Sequence, residues 1–69
     1  MITKEQIEDL GFVFKQKLIT NNIDFINREI KTMVTLSLDG TVDITCENYK
    51  KNWSNITSID ELRKIIVDI

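Results

Sequence analysis

The segment Thr32 to Cys46, TMVTLSLDGTVDITC, constrains the fold more than any other stretch of the chain. Apolar and polar residues alternate along both of its arms, the period of a strand with one face on a core. Asp39-Gly40 between the arms is a turn signal, so the segment reads as a β-hairpin. Two connections compete. A two-residue Asp39-Gly40 turn would set Leu36 against Asp43 and Leu38 against Thr41, mixing apolar with polar partners. A three-residue loop, Leu38-Asp39-Gly40, sets Ser37 against Thr41 and puts Gly40 in the left-handed bulge position. Leu36 then faces Val42, Val34 faces Ile44 and Thr32 faces Cys46. A slip of one residue turns a whole strand face outward, so the alternation selects the three-residue loop.

The same period runs backwards along the chain. FVFKQKL alternates Phe12, Phe14, Gln16 and Leu18 against Val13, Lys15 and Lys17, and predicts a half-buried first strand. Asn21-Asn22 reads as the hairpin turn that follows, because Asn tolerates positive φ. IDFIN then forms a second strand with Ile23 and Phe25 inward. A tight turn near Asn27-Arg28 leads into a long third strand, EIKTMVTLS.

Both ends carry helix signals. Thr3 and Gln6 make a capping box, Ile2 can staple onto Ile7, and Gly11 stands where a left-handed C-terminal cap belongs. Ser58 and Glu61 repeat the box before an apolar stripe of Ile59, Leu62, Ile65, Ile66 and Ile69. The order is α-β-β-β-β-α. It predicts an α+β fold in two layers, a single domain over 1–69, with a four-stranded antiparallel meander and both helices on one face.

Composition narrows the chemistry. The single cysteine, Cys46, and the absence of histidine leave no Cys-His or Ser-His nucleophile pair, no thiolate metal cluster and no internal disulfide. The expectation is a protein that is not an enzyme and holds no metal or cofactor. A formal net charge of −2 argues against a domain built to grip nucleic acid. No apolar run approaches the ~20 residues of a membrane span, and MITKEQIEDL lacks the layout of a secretory signal. A cytoplasmic location is therefore expected. Alanine, proline and histidine are missing while Ile, Lys and Asn abound, a bias of AT-rich coding that suggests a bacterium or its phage.

Two surfaces could meet a partner. The sheet face opposite the helices would show Val13, Ile26 and Met33 among Lys15, Lys17, Arg28 and Lys31, a mixture suited to another protein or to a second copy in a homodimer. Edge strands add a second docking mode by strand addition. The other surface is ENYKKNWSN, where Tyr49 and Trp53 flank Lys50 and Lys51. One reading makes it a loop whose aromatics close the open end of the core. The alternative is a stacking platform for single-stranded nucleic acid. Glu47 beside the patch and the net negative charge favour the first. Cys46 is expected inside as a small apolar side chain, and Glu5, Glu8 and Asp9 as a solvated helix face.

TKEQIEDLGF at the start and SIDELRKIIV at the finish, around a DG-turn sheet, resemble short uncharacterised proteins of bacteriophages and mobile elements. An L-G-aromatic helix exit, several strands and a closing E-L helix recur in them. The resemblance implies no catalytic residues. It implies a protein that binds and blocks a host factor, including factors of host defence, or one that acts as an accessory protein. A small homo-oligomerising domain is the remaining alternative.

Overall fold

The computed structural model describes residues 1–47 and 51–69. Its elements run α1 (Lys4–Asp9), β1 (Val13–Lys17), β2 (Ile23–Asn27), β3 (Thr32–Leu36), β4 (Val42–Cys46), β5 (Lys51–Ile56) and α2 (Ile59–Asp68). The strands form one antiparallel sheet in sequence order, β1-β2-β3-β4-β5. The fold is α+β, as expected, but the meander has five strands where four were expected.

The central hairpin has the expected register. Leu36 pairs with Val42, Val34 with Ile44 and Thr32 with Cys46. Ser37 N donates to Thr41 O at 2.9 Å and Gly40 N to Ser37 O at 3.0 Å, closing the Leu38-Asp39-Gly40 loop with Gly40 at φ 85°. Val42, Ile44 and Cys46 are buried on β4 while Asp43 and Thr45 between them are exposed. One apolar cluster joins Phe25, Val34, Val42 and Ile44 of the sheet to Ile7 of α1 and Leu62 of α2. Both helices therefore cover the same face.

The caps account for where these helices begin. Gln6 N donates to Thr3 Oγ1 at 3.3 Å and Thr3 N to Gln6 Oε1 at 2.9 Å, so two of the orphan donors of α1 are satisfied reciprocally. Gly11 follows at φ 94°. In α2, Ser58 Oγ accepts from Asp60 N at 3.2 Å rather than from Glu61, a one-way cap in place of the expected box. Leu62 is fully buried, and Ile59, Ile65 and Ile66 pack against the core from its flanks. Among the described residues no helix is long and apolar enough to cross a membrane.

Four further expectations differ from the structure. β5 occupies part of the stretch expected to be a loop. Its Trp53 pairs with Ile44 and its Ile56 with Val42, so both lie on the helix side although they stand three apart in the chain. A bulge makes this fit. Asn55 takes φ 58°, and its N–H donates to Asp43 Oδ1 at 3.0 Å. That extra residue erases the two-residue period by which a strand is recognised.

The β1–β2 connection is not an Asn21-Asn22 turn. Leu18 N donates to Asn22 O at 2.7 Å and Asn21 N to Leu18 O at 2.9 Å, enclosing Ile19-Thr20-Asn21 with Asn21 at φ 70°. This is the geometry of the Leu38-Asp39-Gly40 loop, with Asn supplying the left-handed residue. The β2–β3 connection is a four-residue loop, 28–31, closed by Lys31 at φ 50° and by Asn27 Oδ1 accepting from Glu29 N. β3 thus starts at Thr32 rather than Glu29.

β1 breaks its own alternation. A bulge between Phe14 and Gln16 places Phe14 opposite Phe25 but Gln16 opposite Asp24 and Lys17 opposite Ile23. Gln16 was expected inward and Lys17 outward; the extra residue exchanges them. Phe12 is buried, yet Phe14 is 54 % exposed, because β1 is the sheet edge and the helices do not close over it.

Candidate partner-binding face

The side of the sheet away from the helices is organised in cross-strand rows. One row crosses all five strands: Val13 opposite Ile26, Ile26 opposite Met33, Met33 opposite Thr45, and Thr45 opposite Asn52. Its first three members are apolar. Side chains opposite one another in an antiparallel pair share a face and lie about 4.5–5.5 Å apart, so Val13, Ile26 and Met33 form a continuous strip.

Cations border the strip on both sides. Arg28 and Lys31 come from the 28–31 loop at the end where β2 turns into β3, and Lys15 comes from the β1 bulge on the other side of the strip, beside Asp24. With Ile26, Thr32, Met33, Thr45 and Glu47 they line a hollow of about 570 Å³. Glu47 N donates to Lys31 O at 3.1 Å, which carries the β3–β4 ladder one step past Thr32–Cys46 and brings Glu47 to the same rim. Among the described residues the one ion pair is Arg63 with Asp60 at 3.1 Å, and Lys15, Arg28 and Lys31 take part in none.

The next row on this face is polar and internally satisfied. Asp24 is only 4 % exposed although no helix covers it. Gln16 Nε2 donates to its Oδ2 at 2.8 Å and Thr35 Oγ1 to its Oδ1 at 2.6 Å. Asp43 on the neighbouring strand accepts from Asn55 N. Arg28 and Lys31 thus stand on one side of the apolar strip and Lys15 on the other, where the carboxylates of Asp24 and Asp43 are already engaged by their neighbours.

Of the residues expected to meet a partner, the hollow gathers Lys15, Ile26, Arg28, Lys31 and Met33. Val13 shares their row, 55 % exposed, but lies outside the hollow at the edge strand. Lys17 is turned to the helix side by the β1 bulge and does not belong to this face. Glu47 and Thr45 are additional members. Glu47 was legible in principle: pairing Thr32 with Cys46 already places Lys31 across from it.

The alternative nucleic-acid surface divides. Tyr49 and Lys50 lie outside the described residues. Lys51 and Trp53 stand opposite Cys46 and Ile44, on the helix side, and with Ile65, Asp68 and Ile69 they line a separate hollow of about 370 Å³. Trp53 is half-buried against the core, and Asp68 brings a carboxylate to the same hollow.

Cys46 is buried, 3.3 Å from Thr32 Oγ1. Asp39, in the β3–β4 loop, has its carboxyl held below the ordinary value by the Thr41 backbone N–H and then by the Thr41 hydroxyl. No family model, curated protein or solved structure matches this chain.

Proposed function

We propose that this chain is a small, non-enzymatic protein-binding module that docks its partner on the uncovered sheet face. The carrying observation is the strip of Ile26 and Met33 beneath Lys15, Arg28 and Lys31, cations that hold no ion pair among the described residues. An apolar floor supplies area to bury, and a charged rim orients the incoming surface and speeds its encounter. The mechanism is occlusion: whatever part of the partner lies over this strip is withdrawn from other contacts. The phage-type resemblance of the chain ends points to a host protein as the partner, in a bacterial or phage-infected cytoplasm.

The test is capture of a partner by the tagged protein, identification of what is captured, and titration of that purified partner with variants. Met33→Glu places a charge on the floor and should weaken binding by about tenfold or more, whereas Val67→Lys, on the exposed side of α2, should not. Equal binding of wild type and Met33→Glu would remove the reading. A wild-type dimer that Met33→Glu dissociates in sedimentation would identify the partner as a second copy.

A further inference from the structure

We infer that the groove takes an acidic peptide segment carrying an apolar anchor, its carboxylates over Arg28, Lys31 and Lys15 and its anchor on Ile26 and Met33. The inference rests on the proposed role of this face and adds the chemistry of the partner. Its first support is the separation of charge within a chain whose formal total is −2. The described lining of the groove holds three cations, Lys15, Arg28 and Lys31, against one carboxylate, Glu47. The helices lean the other way: α1 and α2 together carry Glu5, Glu8, Asp9, Asp60, Glu61 and Asp68 against Lys4, Arg63 and Lys64. Positive charge is thus concentrated in the lining of the groove.

The second support is what each charged group already does. Asp24 is bonded to Gln16 and Thr35, and Asp43 to the Asn55 backbone, so these carboxylates are held by their own neighbours. The three cations have no such engagement among the described residues. A basic segment would meet Arg28, Lys31 and Lys15 as like charges, and a purely apolar one would cover their head groups without a counter-charge. Either arrangement costs free energy that an acidic segment does not incur. With Arg28 and Lys31 on one side of the apolar strip and Lys15 on the other, the carboxylates of the segment flank its anchor.

Panning a phage-displayed random peptide library against the immobilised wild-type protein tests this without a known partner. Selected peptides should be enriched in Asp and Glu beside one aliphatic or aromatic residue, and should shift the backbone amides of Ile26, Met33 and Thr45. Their affinity should fall about tenfold or more in the double variant Arg28→Glu, Lys31→Glu, and with added salt. Replacing the peptide acids by Lys should restore binding to that variant, an outcome that a merely unfolded variant could not give. Basic or neutral peptides that shift the same amides would overturn the acidic partner while leaving the function of the face intact. Peptides mapping to another surface would overturn both, and a library yielding no binder would overturn the inference. An oligo-dT strand that shifts these amides more strongly than the best peptide at equal concentration would replace the protein segment with nucleic acid.

Discussion

The backbone N–H of Ile2 donates to the carbonyl oxygen of Gly40 at 2.9 Å, tying the segment before α1 to the tip of the β3–β4 hairpin. Gly40 is needed twice at this joint. Its φ of 85° suits a residue without Cβ, and a Cβ built there would fall on Met1 Cγ and stand 3.3 Å from Met1 Cα. Gly11 has the same backbone requirement at φ 94°, but its nearest neighbour would be the Asn27 side-chain nitrogen at 3.3 Å. Gly11→Ala should therefore cost about 1–2 kcal/mol, the left-handed penalty alone. Gly40→Ala should cost about 2–3 kcal/mol, because the N-terminal segment must also move. Urea midpoints at constant slope measure the difference.

Phe12 and Phe14 look equivalent in the sequence and are not. Phe12→Ala removes a buried ring from the main cluster and should cost about 3–5 kcal/mol. Phe14→Thr alters an exposed edge position that suits a β-branched residue, and should change stability by less than about 1 kcal/mol. Equal losses would mean that the helices close over the β1 edge.

The β5 bulge depends on Asp43 and Asn55. Asn55→Ala meets the left-handed penalty at φ 58° and should cost about 1–2 kcal/mol, while Asn55→Gly should be close to neutral. Asp43→Ala removes an exposed acceptor and should cost about 0.5–1.5 kcal/mol. Trp53 is on the same strand and half-buried against the core, so its fluorescence follows the detachment of β5.

Asp24 holds the open face together through Gln16 and Thr35. Thr35→Val deletes the 2.6 Å donor to a buried carboxylate and should cost about 1.5–3 kcal/mol. Once Asp24 is already Ala, the same change should cost far less. A double-mutant cycle measures that coupling, and strict additivity would mean that the bond contributes nothing.

Acid should weaken the β3–β4 loop through Asp39. Its folded-state carboxyl is lowered from 3.8, so the native state favours the charged form. The stabilisation it brings is complete above the unfolded value and is lost as pH falls through the folded one. The denaturation midpoint of wild type over Asp39→Ala should be greatest near pH 5 and shrink below about pH 4. A gap that widens in acid would reverse this assignment. The effect should be small, since the group is exposed.

Both helices, the face they cover and the β3–β4 register were legible because each rests on local chemistry: caps, an apolar stripe, a turn residue and strict alternation. Where the period is unbroken, as from Val42 to Cys46, every side chain was placed on its proper face. The failures share one cause. At Phe14–Gln16 and at Asn55 the chain inserts a residue into the ladder, and alternation then misassigns Lys17 and conceals β5. A bulge is decided by the partner strand, here by Asp24 accepting from Gln16 and Asp43 from Asn55, contacts between residues eight and twelve apart.

The sequence by itself therefore determined an α+β chain with capped helices, a Gly40-closed hairpin and one apolar sheet face beneath both helices. Only the tertiary structure decided that a fifth strand completes the sheet, and that Lys15, Arg28 and Lys31 meet over Ile26 and Met33 while Lys17 turns away. Spacing along one strand records which residues share its faces. Cross-strand geometry sets which strands pair, where they bulge, and so which charges gather around a common floor.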